Sequence, residues 1–370
     1  MHKGRMAIQL GKMMTELTSN RDIERLIQLD FLRATEVAAL NVMKWVGKGN
    51  KEAADEAACD AIRGMFDLMN IRGEVVIGEG IKDEAPGIFK GEKVGTWLAG
   101  TPKFHVALDP VDGTTNCSKG MPNSISCIAA VKVDDGEEAH LLDIPAFYMR
   151  KLAYPQVVRR AWMADPSLPI SVDAPIKEVL PVVAKLLGKS VRDVTVMVLD
   201  RPRNQDLVDD VRSMGASLRM IAEGDITACL APALPGSGID LYCGIGGAPE
   251  GVLAAAALRC LGGGMQGKIW PANDREKQSL IDAGWGHRLD EVFRSRDLAF
   301  ADEIIFCATG ISDSPLLRGV RVQGHTATTH SVLMRAKNHT VRFIETHHDL
   351  EAKTIHLRSS KQEVFLNQPG

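Results

Sequence analysis

Apolar positions recur at helical spacing near the start of the chain: Ile23, Leu26, Ile27, Phe31, Ala34, Ala38, Val42 and Trp45 fall on one face. The pattern predicts a helix that Gly47-Lys48-Gly49-Asn50 stops. A second helix is expected over 52–69. The period then shortens: residues 74–77 read as a strand running into Gly78-Glu79-Gly80, and residues 104–108 as another running into Asp109-Pro110. Residues 124–133 form a further apolar strand. A Pro-rich connection follows residue 150 (Pro155, Pro166, Pro169, Pro175). Strands at 194–199, 218–221 and 239–242 then alternate with helices at 205–214 and 251–261, and strands at 303–307, 328–333 and 341–344 follow. Residues 1–20 read as a polar extension. The whole predicts a mixed α/β chain with a lobe boundary near residue 150, dividing it into 1–150 and 151–370.

Composition narrows the class. With 370 residues, 45% hydrophobic and 25% charged, the chain has the mix of a globular protein large enough for two cores. Its formal charge of −3 gives no reason to expect nucleic acid or an anionic membrane as partner, so positive charge for an anionic substrate must be local. The seven cysteines (Cys59, Cys117, Cys127, Cys229, Cys243, Cys260, Cys307) contain no C-x-x-C pair and are odd in number. That argues against a zinc ribbon or a disulfide framework and for a reducing compartment. The start, Met1-His2-Lys3-Gly4-Arg5, leads into no apolar stretch of signal-sequence length, and the longest apolar run, 251–261, contains Arg259. A cytoplasmic protein is expected.

The chemistry lies where acids meet strand ends. Glu79 follows an apolar strand between two glycines. Asp109 ends another, where Pro110 is expected to stop ladder pairing, and Asp112-Gly113-Thr114-Thr115 turns the chain. Converging acids repel unless a cation sits between them, and oxygen ligands with no nearby His or Cys favour Mg2+ or Mn2+. Asp-Pro and Asp-Gly alone are ordinary turn formers; Asp-Pro-x-Asp-Gly-Thr as a unit after an apolar strand points to metal. No nucleotide cradle accompanies it. Gly188-Lys189-Ser190 has Val183 in place of the first Walker glycine, and Gly244-Ile245-Gly246 has Pro249 in place of the third dinucleotide glycine. Ala248-Pro249-Glu250-Gly251 opens a small-residue helix with Glu250 in its first turn. Arg201-Pro202-Arg203 is either a solvated turn or a stiffened pair able to grip a phosphate.

Together these motifs resemble the class II fructose-1,6-bisphosphatases, including forms that also accept sedoheptulose 1,7-bisphosphate. The resemblance spans about 36–348. It rests on Lys44-Trp45-Val46-Gly47-Lys48-Gly49-Asn50-Lys51, Val76-Ile77-Gly78-Glu79-Gly80, Asp109 to Thr114, Tyr148-Met149-Arg150-Lys151-Leu152, Arg201-Pro202-Arg203 and, above all, Gly-Ile-Gly-Gly-Ala-Pro-Glu-Gly at 244–251. It implies a layered αβαβα sandwich of the sugar phosphatase and inositol monophosphatase type. It also implies Mg2+ or Mn2+ on Asp55, Glu79, Asp109, Asp112 and Glu250. Glu79, or Asp83 with Thr114, would orient the attacking water. A sugar bisphosphate would be held by Lys51, Asp112, Gly113, Thr114, Tyr148, Arg201, Pro202, Arg203, Glu223, Gly224, Asp225 and Gly247, in a homodimer or homotetramer. The sequence departs from the family pattern at Asp112 (usually Glu), Ile81 and Ala146. Sedoheptulose bisphosphatase, an inositol-monophosphatase-like enzyme and a non-catalytic sugar-phosphate sensor are the alternative readings.

Overall fold

The computed structural model describes residues 23–79, 81–82, 85–358 and 363–366. The first helix, α1 (Ile23–Val42), ends in a 3-10 turn at Met43–Trp45. The next, α2 (Lys51–Asp67), starts where the Asn50 side chain accepts the Ala53 N–H at 3.0 Å, satisfying a donor that the first turn leaves orphaned. Strands β1 (Arg72–Ile77), β2 (Lys93–Val94), β3 (Lys103–Asp112) and β4 (Ile125–Val133) follow, with the short α3 (Thr114–Lys119) between the last two.

The chain then builds a second sheet from β5 (Tyr148–Tyr154), β6 (Thr195–Leu199), β7 (Ser217–Ile221), β8 (Leu241–Gly247), β9 (Gly264–Ile269) and β10 (Phe293–Arg294). Their order is β10-β9-β5-β8-β6-β7. Helices α4 (Gln156–Ala164), α5 (Ile176–Leu186), α6 (Gln205–Ser213), α7 (Asp225–Leu230), α8 (Ala248–Leu261), α9 (Asp274–Asp282) and α10 (Ser295–Leu298) lie between and after these strands. Finally β11 (Ile304–Gly310), β12 (Arg321–Gln323), β13 (Thr326–Arg335) and β14 (Thr340–Asp349) rejoin the first sheet, in the order β12-β13-β11-β4-β3-β1-β2, with β14 paired along β13. Both sheets mix parallel and antiparallel neighbours. After residue 303 the chain is therefore back in the sheet it began.

Three large apolar cores fill the space between these elements, and a small fourth cluster joins Val37 and Ala61 to Ile355 and Leu357. One packs α1 and α2 on the face of the first sheet that carries Val75, Phe104, Val106 and Ile128. A second joins the other face of that sheet (Ala107, Cys127, Ala129) through α7 and α8 to Met149, Ala153 and Tyr242 of the second sheet. A third packs α4, α5 and α6 against Leu152, Val196, Val198 and Leu241. Helix α8 is buried nearly all round (Ala254 to Leu258 all within the core), the pattern of a helix with no solvent face.

Two expectations need correcting. Pro110 does not end its strand. Pairing resumes past it, with Asp109 opposite Cys127 and Asp112 opposite Ile125, so a one-residue bulge absorbs the proline. The Pro-rich stretch after residue 150 is not mere connection, since α4 starts directly after Pro155, a residue compatible with a helix entry. The seven cysteines are all buried and unbonded to one another, and no helix among the described residues is long and apolar enough to cross a membrane.

Candidate active site

The bulge in β3 creates the acid pair. In a regular strand, residues three apart point to opposite faces. The extra residue shifts the register, so Asp109 and Asp112 oppose Cys127 and Ile125, two residues apart on β4 and hence on one face. That face looks toward α8. Asp109 Oδ1 accepts the Val111 N–H at 3.1 Å across the proline. Asp112 is 4% exposed, and its Oδ2 accepts the Ile226 N–H of α7 at 3.2 Å, tying the first sheet to that helix.

The other acids arrive from three further elements. Glu79 follows β1 by two residues, with Cys59 Sγ at 3.8 Å from its Oε2. Glu250 sits in the first turn of α8, where the helix dipole favours negative charge. A Cβ on Gly247 would lie 1.9 Å from Glu250 Oε2, so any larger residue there would displace that carboxylate from this position. Asp55, on α2, accepts from Thr114 Oγ1 at 3.3 Å, while Thr114 Oγ1 also lies 3.0 Å from the Val111 carbonyl. Burial pushes the carboxyls of Asp109 and Asp112 well above the usual range. For Asp109 the negative charges of Asp112, Glu79, Glu250 and Asp55 add to it in that order; for Asp112 those of Glu250 and Asp225 do, against the Ile226 N–H and Lys151.

Four of these acids line a cavity of about 460 Å3. Glu79, Asp109, Asp112 and Glu250 line it with Gly113, Thr114, Tyr148, Arg201, Arg203, Glu223, Gly224, Asp225 and Gly247. Arg203 Nε donates to the Ile245 carbonyl at 3.1 Å and its guanidinium lies 4.4 Å from the Tyr148 ring centroid. Among the described residues no side chain pairs with its two terminal nitrogens. Arg201 Nη2 reaches Glu223 Oε1 at 3.3 Å, and Glu223 Oε2 accepts the Thr115 N–H at 2.8 Å.

Four expected residues stand apart from that lining: Asp55, which reaches the site through Thr114, and three others. Lys51 is exposed at the start of α2, one turn before Asp55, and Pro202 is exposed at the start of the 3-10 turn that carries Arg203. Asp83 falls outside the described residues. Asp225 lines the cavity, but its carboxylate is already engaged: Oδ1 accepts from Tyr242, while Oδ2 pairs with Lys151 and accepts the Gly247 N–H at 2.9 Å. Lys151, wholly buried, also donates to the Gly247 carbonyl at 2.8 Å.

Sequence reasoning gave no role to Lys151, Tyr242 or Asn123. Asn123 adopts φ +69°, and its carbonyl sits between the left-handed turns at Gly113 (φ +84°) and Gly224 (φ +93°), where a Cβ on either would approach it to 2.4 and 2.7 Å. The only signal in the sequence was the pair of turn glycines.

Among the described residues no three His, Cys, Asp or Glu side chains are closed into a ready-made metal cluster. The donor set nevertheless fits a hard divalent cation: carboxylates from three elements, Asp112 buried and Glu79, Asp109 and Glu250 half-buried, repel one another at one cavity and offer oxygen donors.

The family described as bacterial fructose-1,6-bisphosphatase, glpX-encoded, matches residues 25–348. The chain belongs to this family. It is 39% identical over 340 residues to the class 2 fructose-1,6-bisphosphatase of Haemophilus influenzae, covering 89% of this chain and 98% of that protein. It is 35% identical over 342 residues to the class 2 fructose 1,6-bisphosphatase/sedoheptulose 1,7-bisphosphatase of Synechococcus sp. strain JA-2-3B'a(2-13), covering 86% and 94%, and equally to that of strain JA-3-3Ab. The class II fructose-1,6-bisphosphatases are metal-dependent phosphoric monoester hydrolases, and the matched range contains the motifs from Lys44 to Gly251.

Proposed function

We propose that the chain hydrolyses the 1-phosphate of fructose 1,6-bisphosphate to give fructose 6-phosphate and inorganic phosphate. Fructose-1,6-bisphosphatase class 2 activity is what its family carries. One observation supports the assignment of roles: four acids and two arginines line a single cavity of about 460 Å3.

In this reading Asp55, Glu79, Asp109, Asp112 and Glu250 hold Mg2+ or Mn2+. Bound there, the ions supply charge neutralisation at the reacting phosphate and acidify a water. Thr114, anchored between Asp55 and the Val111 carbonyl, and Glu79 orient that water for in-line attack, with Asp83 retained as an alternative base. Arg203 is held from two sides, by a carbonyl and a ring, so its free edge grips the distal phosphate at little cost in ordering. Arg201 assists it, with Glu223 fixing its direction. Tyr148, Gly113, Gly224 and Gly247 bound the sugar, and Lys51 and Pro202 remain the outermost contacts. We read Asp225 as holding Lys151 and the Gly247 turn in place rather than as touching the sugar.

The three cores support a five-layer αβαβα sandwich, with α7 and α8 between the sheets. In role, residues up to about 150 form the metal-binding lobe and those from 151 the sugar-phosphate lobe. The strands from Ile304 onward pair with the first of these. A cytoplasmic homodimer or homotetramer completes the proposal.

A phosphate-release assay across fructose 1,6-bisphosphate, sedoheptulose 1,7-bisphosphate and inositol 1-phosphate, each with Mg2+ and with Mn2+, tests it. Turnover of the fructose bisphosphate with either ion, and little release from inositol 1-phosphate, is expected. Release from inositol 1-phosphate at an equal rate would remove the two-phosphate reading. Comparable use of sedoheptulose bisphosphate is the second reading, favoured by the Synechococcus relatives.

A further inference from the structure

A second cavity, of about 640 Å3, opens elsewhere on the molecule. It lies at the opposite ends of two elements that also build the acidic site. Strand β5 carries Tyr148 at one end and Tyr154, a wall of this cavity, at the other. Helix α8 carries Glu250 in its first turn and Arg259, another wall, in its last. A 14-residue helix separates the two by roughly 20 Å, at 1.5 Å per residue.

The charge of this cavity is one-sided. Arg159, Arg259, Arg294, Arg296, Lys337 and His339 line it against only Asp302 and Glu303. Asp302 is shared by Arg259 at 3.0 Å and Arg296 at 3.1 Å, and Glu303 pairs with Lys337. That leaves the guanidinium groups of Arg159 and Arg294 with no carboxylate among the described residues. Arg159 Nε is buried with no hydrogen-bond partner, an arrangement that is unfavourable unless something supplies an acceptor. Space for its stem exists because Gly264 has no side chain: a Cβ there would approach Arg159 Cδ to 3.1 Å and Tyr154 Cε2 to 2.6 Å. The Arg294 guanidinium is steadied 4.9 Å from the Trp162 ring centroid. A buried, unpartnered guanidinium N–H and a stacked arginine in one hollow suit a compact, doubly charged oxyanion, which accepts from planar forks bidentately.

We propose that this cavity is a second anion site that binds the phosphate group of a small molecule, separate from the acidic site, with Arg159 and Arg294 as its main donors. The source is free phosphate or a phosphate monoester, which share that chemistry.

Calorimetric titration of the full chain in metal-stripped buffer tests it, because the carboxylates of the acidic site then repel phosphate. Inorganic phosphate and glycerol 3-phosphate are the probes, with chloride at matched ionic strength as the blank. Saturable binding of at least one probe is expected, weakened at least tenfold in the doubly substituted Arg159→Gln, Arg294→Gln chain and unchanged in Arg203→Ala. Arg159→Lys with Arg294→Lys, which keeps the charge but loses the fork, is the second variant should the first not fold, and it too should lose at least tenfold. Tighter binding of the ester assigns a phosphorylated metabolite, and tighter binding of inorganic phosphate assigns the free ion. No saturable binding, a loss under tenfold in the arginine variants, or an equal loss in Arg203→Ala overturns the site.

Discussion

At the residue scale the acidic site depends on side chains held by more than one partner. Arg203 has its ring contact and its carbonyl, and in the proposed reading the distal phosphate of the sugar bisphosphate meets its remaining edge. Arg203→Ala is expected to weaken kcat/KM for fructose 1,6-bisphosphate by about 1.5–3 kcal/mol, the range for hydrogen bonds to charged groups, while hydrolysis of a small monophosphate changes little. Equal losses on both substrates would remove the separate distal site. Lys151 offers a sharper case. It is fully buried and compensates Asp225, which stands next to Asp112 in the field of the acids. Lys151→Met keeps the shape and strands a buried carboxylate, so chemical denaturation should show a loss of about 3–5 kcal/mol. Restoration by adding Asp225→Asn would separate a charge effect from a packing effect. Lys151 was present in the sequence inside a recognisable motif. Its partner lies 74 residues away, and that distance is what hid the role.

At the scale of elements, the sequence placed most strands and helices, because apolar periodicity is local information. It foresaw α8 with Glu250 in its first turn, from Pro249 and the following glycines. It did not foresee the bulge in β3. Pro110 reads locally as a terminator, and only pairing with β4 reveals that the ladder resumes and turns Asp112 onto the face of Asp109. The alternation of Ile125 and Cys127 carried half of that information, but register between strands is not legible from one strand alone. Helix α2 allows a direct test of an element's contribution. Asn50 caps it at a solvent-exposed end, while Asp55 lies one turn in. Asn50→Ala should lower stability by about 1 kcal/mol. It should also raise the Mg2+ concentration for half-maximal activity, since fraying of the first turn loosens Asp55. An unchanged metal requirement would place Asp55 on a turn that does not need the cap.

At the scale of the whole molecule, the chain's return to the first sheet after residue 303 means that the ends of the described chain stabilise one another. The buried His348 on β14 bonds to Thr329 on β13 at 2.9 Å, and burial pushes its imidazole down to about 4 from an ordinary 6.5. A depressed folded-state value means that the stability it contributes is present above pH 6.5 and is lost as pH falls toward 4. Glu36, on α1 nearby, is raised by burial and works in the opposite sense at the acid end. The unfolding midpoint in urea is therefore expected to fall across this window, and to fall less in His348→Asn. An identical slope in the two proteins would assign the acid sensitivity to other groups. A break in local pattern near residue 150 cannot announce that a later segment will come back to the first sheet.

Helix α8 touches strands of both sheets, and alanines make up much of its girth. It acts as a thin shim between the sheets, since the small side chains on it let their strands approach closely. Substrate tolerance in this fold can thus drift without any change among the residues that meet the sugar. A lineage that thickens the shim at Ala255 or Ala256 would part the two sheets for a longer sugar, and one that thins it would close them. Residues that never see the substrate would then choose it.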